Sequence, residues 1–319
     1  MSVFDVHSAV ASQGRPNSPG FSHEDFPRFI FKTDPYMCLN LVELHDLHQR
    51  LGQREFYSHF EQKEAEYRFS GSHFMNARCK TKMRSAQKQL VHLQMRYEKL
   101  FSQEAKGQIE QEEEKAMFFD SNLIRLIMTI DGNEDSIGHS HLVTRYALLL
   151  TKALGLRDGT FVLHMERGAA LHDIGKIGVP DQILRKKGAL NPAERRTIQE
   201  HPFLGYELIE EFDFLKKAAR IVLFHHEKYD GSGYPYGLKE KEIPLEARIF
   251  AVVDAFDAIT SDRHYSQGQS FSAAVREIKR CRGTHFDPDV VDAFLSVHLD
   301  SWLRLKMDAR LLVQSQTAH

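Results

Sequence analysis

The sequence predicts an all-α chain. Apolar residues recur at helical spacing from residue 83 onward, Gly and Pro punctuate the repeats at helix-length intervals, and no segment shows the period-two alternation of a half-buried strand. With 319 residues, 42% hydrophobic and 27% charged, the chain can bury a core, and at about 100–200 residues per domain it has room for two domains. Disordered and collagen-like classes are excluded.

Residues 1–25 are polar, with Gly14, Pro16, Pro19 and Gly20 among serines, and predict a disordered tail. Residues 26–74 mix aromatics without a repeat and read as compact and mainly helical. Met83, Ala86, Leu90, Leu93, Tyr97 and Leu100 follow at spacings of 3, 4, 3, 4 and 3, a heptad seam. It belongs to a helical linker over 83–115 and fits two uses, a homodimer through 83–100 or packing on its own chain. The acidic run Glu110 to Glu114 is a solvated helix face. From residue 118 the pattern becomes one of successive amphipathic helices. They are expected over 136–154 before Gly155, 161–174 before Gly175, and from Asn191-Pro192 to about 211. Others are expected over 216–227, 245–260, 272–282 and 288–298. The expected organisation is therefore a tail (1–25), an N-terminal regulatory or sensory region with its linker (26–117), and a helical-bundle domain (118–319).

Lys+Arg 42 against Asp+Glu 44 leaves a net charge of −2. No basic field exists for duplex nucleic acid or an anionic membrane. Cys38, Cys79 and Cys281 are far apart and form no C-x-x-C pair, so neither a disulfide framework nor a thiolate zinc site is expected. A cytoplasmic location fits. No apolar stretch is long enough for membrane insertion, and no basic-then-apolar leader opens the chain. Eighteen histidines are many for this length, and histidine is the commonest metal ligand.

On the helix after Asp135, the residues Leu142, Tyr146, Leu150 and Ala153 form an apolar stripe, and His139 lies on it, so an imidazole points inward. Asp135 stands four residues earlier on the same face, whereas His141 is rotated away. The next helix ends in Ala169-Ala170-Leu171-His172-Asp173-Ile174-Gly175-Lys176, whose small residues let another helix approach. His201, the pair His225-His226, and Asp254 inside an apolar helix follow. Burying such groups unpaired costs several kcal/mol each. Together they are satisfied by surrounding positive charge.

His172-Asp173 with Asp254 resembles the HD superfamily of metal-dependent phosphohydrolases. The stretch His225-His226-Glu227-Lys228-Tyr229-Asp230-Gly231-Ser232-Gly233-Tyr234-Pro235 is similar to the signature of its HD-GYP branch. The resemblance runs from about residue 120 to 298 and includes Gly283-Thr284-His285-Phe286-Asp287-Pro288. It implies an HD-domain helical bundle and a metal cluster held by His139, His172, Asp173, His201, His225, His226 and Asp254, with Asp135 placed for a third ion. The ions it implies are two, or three, divalent transition metals, iron or alternatively manganese. Five imidazoles plus carboxylates and no thiolate independently suit octahedral Fe or Mn better than closed structural zinc.

The substrate implied is the second messenger cyclic di-GMP. The expected chemistry is hydrolysis of a phosphodiester to pGpG or GMP by a hydroxide bridging the ions, with Asp173 as the bridge. Lys176 matches the family lysine and would stand beside the phosphate; otherwise it is a lysine favoured by the helix C-terminus. Gly233 permits a tight loop near substrate, Tyr234 offers a stacking face, and the Gly-Tyr-Pro loop is also a place for a protein partner. Arg263 matches a ligand-contacting arginine. His264 and Ser266 depart from the pattern. Two functions therefore stay open, an efficient phosphodiesterase and a cyclic di-GMP-binding adaptor with weak or no turnover. Asp257, His164, His285 and His298 are assigned to packing, capping or surface.

Overall fold

The computed structural model describes residues 75–101, 134–262 and 268–317. The expected tail, residues 26–74 and the acidic run at 110–114 lie outside them. Among the described residues there is no β-strand. The order is α1 (Ala77–Phe101), α2 (Glu134–Ala153), α3 (Gly159–Leu171), a 3-10 turn (Ile174–Gly178), α4 (Asp181–Leu184), α5 (Pro192–Gln199), α6 (His201–Ile209) and α7 (Ala219–Phe224). A second 3-10 turn (Glu240–Glu242) precedes α8 (Leu245–Thr260), α9 (Phe271–Arg280), α10 (Pro288–Ser296) and α11 (Leu299–Thr317). An all-α fold is observed, as the periodicity predicts.

Local chemistry sets the helix starts. The Asp158 side chain accepts the Phe161 N–H at 2.8 Å to open α3. Asn191 and Glu194 form a reciprocal capping box at α5, with Pro192 in its first turn. Each arrangement satisfies backbone donors that a helix start leaves unpaired.

Two apolar clusters hold the bundle. In one, Leu142, Tyr146 and Leu150 of α2 meet Phe250, Val253 and Phe256 of α8, Val290 and Phe294 of α10, and Trp302 of α11. Tyr146 and Trp302 lie edge to face at 5.3 Å between centroids, a preferred aromatic geometry. In the other, Leu171, Ile174 and Ile177 meet Leu208, Ile209 and Val222, and the same cluster contains Ala86, Leu90 and Leu93 of α1.

That second cluster bears on the heptad stripe. The heptad stripe of α1 lies on the chain's own bundle, with Ala86 and Leu90 fully buried. Of the two uses the spacing allows, packing on its own chain is the one seen for Ala86, Leu90 and Leu93. Arg78 and Lys82 further tie α1 to Asp181 at 3.1 and 2.9 Å. The helix read as the start of a linker thus packs in the same compact unit as the bundle helices.

Two more differences have physical causes. The single helix expected from 191 to about 211 is two, because Pro202 near the start of α6 has no N–H to give the carbonyl of Ile198 four residues back. The last helix, α11, escapes a pattern search because its inward stripe of Trp302, Leu305 and Ala309 includes a lysine, Lys306, which is itself buried. Among the described residues, no helix is long and apolar enough to cross a membrane.

Candidate metal centre

Three imidazoles of the centre stand just beyond helix ends, where the last carbonyls lack intrahelical partners. Each ring turns back to use one. The Nδ1–H of His172 donates to Ala169 O at 2.9 Å, that of His201 to Ile198 O at 2.7 Å, and that of His225 to Val222 O at 2.9 Å. A carbonyl can only accept, so Nδ1 carries the proton in all three, and in the neutral ring Nε2 presents a lone pair. For His201 the accepting carbonyl is the one to which Pro202 has no N–H to give, and which also takes the Glu200 N–H. The fourth ring, His139 on α2, places Nδ1 at 2.7 Å from Asp257 Oδ2 on α8.

Close backbone approach brings these ends together. A Cβ on Gly175 would lie 1.9 Å from His201 O and 2.4 Å from Gly205 N. Glycine alone lets the start of α6 lie against the 3-10 turn that follows Asp173. The small residues noticed in the sequence, Ala169 and Ala170, are therefore not the tightest point of this crossing.

Asp173 sits between two groups of donors. Its Oδ1 is 3.2 Å from His201 Nε2 and 4.0 Å from His225 Nε2, and its Oδ2 is 3.2 Å from His172 Nε2. Two sets of side chains offer ligand atoms mutually within 4.8 Å: Asp173, His201, His225 and His226, and His139, His172 and Asp173. Asp173 belongs to both. Asp254 Oδ1 lies at the edge, 3.5 Å from His139 Nε2. Lys176 forms an ion pair with Asp173 Oδ2 and is about one-third exposed, with 36% side-chain accessibility.

The electrostatics favour a cation. Burial, then the neighbouring imidazoles, hold His225 well below the usual histidine range, so this ring is neutral. Burial and His201 push His226 down to about 3. Burial opposes ionisation of Asp173, yet Lys176 and His172 outweigh it and keep its carboxyl well below the usual value. Burial likewise opposes charge on His172, and the Asp173 carboxylate overcomes it to raise that ring's pKa. His201 Nε2 and His225 Nε2 face each other at 3.2 Å. With both Nδ1 protons committed to carbonyls, two lone pairs confront one another there unless a proton or a metal ion lies between. Nitrogen and oxygen donors without thiolate suit first-row divalent ions, so the residues present fit a metal centre.

Two buried acids to which the sequence reading gave no place in the centre support it. Asp257 is almost fully buried, at 2% exposure, and orients His139. Its signal was its place one helical turn beyond Asp254. Buried Glu227 accepts the backbone N–H groups of Tyr236, Gly237 and Leu238 at 2.7, 3.1 and 3.1 Å, fastening the Gly-Tyr-Pro loop to the residue after His226. Burial raises this carboxyl to about 7, against the opposing pull of those three donors. A Cβ on Gly233 would come within 2.3 Å of Lys228 N, so glycine is required there for packing. The Tyr234 ring stacks on His226 at 4.7 Å. The side chains of Asp135, Arg263, His264 and Ser266 lie outside the described residues.

The HD domain family model matches residues 124–290. The chain belongs to the HD domain family. Among curated proteins it is 43% identical over 150 residues to a cyclic di-GMP phosphodiesterase of Thermotoga maritima, covering 46% of this chain and 40% of that protein. It is 41% identical over 191 residues to the cyclic di-GMP phosphodiesterase response regulator RpfG of Xanthomonas campestris, covering 59% of this chain and 49% of that one. It is also 37% identical over 152 residues to 3'3'-cGAMP-specific phosphodiesterase 3 of Vibrio cholerae, covering 48% and 33%. The chain spans less than half the length of these relatives.

Proposed function

We propose that this chain is a metal-dependent phosphodiesterase that hydrolyses cyclic di-GMP to pGpG, GMP or both. The observation that carries the reading is the Asp173 carboxylate, whose two oxygens face two separate groups of Nε2 donors. His139, His172 and Asp173, with Asp254 beside them, would hold one divalent ion; Asp173, His201, His225 and His226 would hold the other. Iron is our first choice and manganese the second, from the donor set. Asp135 remains our candidate for a third ion.

When bound, such ions supply water made acidic enough to attack at neutral pH and neutralise charge on the phosphate. The chain's own residues do the rest. The carbonyl and Asp257 contacts hold four rings in one tautomer, so no ring has to reorganise before chemistry begins. Lys176 stands at the exposed edge of Asp173, where its ammonium would meet a phosphate oxygen entering from solvent. Tyr234, fixed against His226, and Arg263 are the proposed base and phosphate contacts. The Gly-Tyr-Pro loop and residues 26–117 are proposed for partner binding and regulation.

The test is anaerobic incubation of the iron- or manganese-loaded chain with cyclic di-GMP and, separately, 3'3'-cyclic GMP-AMP. Cleavage of the first at least tenfold faster than the second is expected. No turnover of cyclic di-GMP with either metal contradicts the proposal. Tight binding without turnover identifies an adaptor instead.

A further inference from the structure

Lys306 is a lysine in the wrong place for a surface residue. It lies on α11 in line with Trp302 and Ala309, only 7% exposed. Its Nζ donates to Thr260 O at 2.8 Å, Thr260 Oγ1 at 2.9 Å and Ser261 Oγ at 2.9 Å. Asp257 Oδ1 is 3.9 Å away. Ser261 passes the contact on by donating its hydroxyl to Asp257 Oδ1 at 2.8 Å. The other oxygen of that carboxylate, Oδ2, meets His139 Nδ1 at 2.7 Å. A continuous chain thus runs from the last helix through Lys306, Ser261 and Asp257 to His139.

An ammonium removed from water needs nearby negative charge and filled hydrogen bonds, and leaving it unpaired costs several kcal/mol. Here the compensation comes from a carboxylate that is simultaneously the orienting partner of an imidazole. Asp257 is buried as well, and its two oxygens are taken by Ser261 Oγ and His139 Nδ1. Held in this way, Oδ2 is placed to accept the Nδ1–H of His139.

We propose that Lys306 is a positioning residue for His139: by holding Asp257 Oδ1 through Ser261, it aims Oδ2 at the imidazole and leaves Nε2 free as a donor. The inference rests on the two-group reading of the centre, and it assigns α11 a part in metal binding. Partners of this kind, one bond behind a ligand, typically change metal affinity by about 10–100-fold.

The test compares the full chain with Lys306→Met and Ser261→Ala. Metal-free samples are titrated with Mn(II), the free ion being followed by electron paramagnetic resonance. The wild-type chain is expected to bind two equivalents. Lys306→Met is expected to weaken one of them about tenfold and leave the other unchanged, with Ser261→Ala weakening the same one. Independently, 15N spectra of the metal-free protein are expected to show His139 protonated at Nδ1 in the wild type and shifted toward the Nε2–H tautomer in both variants. Unchanged affinity with an unchanged His139 spectrum overturns the proposal. So does equal weakening of both equivalents, which marks a general packing defect. If Lys306→Met does not fold, Ser261→Ala decides by the same criteria. A wild-type chain that binds no manganese defeats the two-ion reading, while the tautomer spectra still judge Lys306.

Discussion

Asp173 is where the centre is most sensitive, because one carboxylate serves both donor groups. Asp173→Asn keeps the shape but leaves one oxygen and an uncharged amide between rings that offer lone pairs. At least one metal equivalent should be lost, with cleavage falling about a hundredfold or more, as read by elemental analysis and product assay. Full metal content in this variant contradicts the bridge. The principal side chains were legible in the sequence because acids and imidazoles interrupt segments that are otherwise apolar. His139 shows this on α2, and Asp254 on α8. Asp257 was not legible as a partner, since its bond to His139 joins positions 118 residues apart. Glu227 was quoted within a motif, but only the fold shows its carboxylate collecting three backbone donors.

Helix α1 shows how a pattern can fix a face without naming what covers it. The spacing of Ala86, Leu90 and Leu93 identified the inward stripe, yet a stripe of that width fits a second copy or a groove on the same chain equally well. The choice depends on Leu171, Ile174 and Leu208, far along the chain, presenting a complementary surface. Leu90→Ala should therefore destabilise the folded chain by about 2–5 kcal/mol in urea unfolding, the range for a large-to-small change in a core. A change under about 0.5 kcal/mol, as at an exposed site, contradicts the packing. The break between α5 and α6 was readable in principle, since Pro202 stands there in plain view. What was not readable is that the Ile198 carbonyl, denied an N–H by Pro202, takes the ring N–H of His201.

At the scale of the whole molecule, half-buried His164, which serves no ligand role, contributes to the response to acid. His164 on α3 is lowered to about 4, first by burial and then by Arg167 and Lys217. Its folded pKa is below the unfolded value near 6.5, so protonation favours the unfolded chain. The associated stability is fully present above about pH 6.5 and is lost as pH falls toward 4. Melting of the metal-free protein between pH 7 and 4 should show this decline, and His164→Asn should make it shallower. Identical slopes in the two proteins rule out His164 as a contributor.

The latching of His172, His201 and His225 to carbonyls of the helices they follow, α3, α5 and α7, has a wider consequence. A ring held in this way cannot swing to make up for a displaced axis, so a slip of α3, α5 or α7 moves the corresponding donor by the same distance. Coordination bonds tolerate only about ±0.2 Å. The centre is thus a gauge of how closely the helices are seated, and a loosened bundle should announce itself as escaping metal before it shows as unfolding.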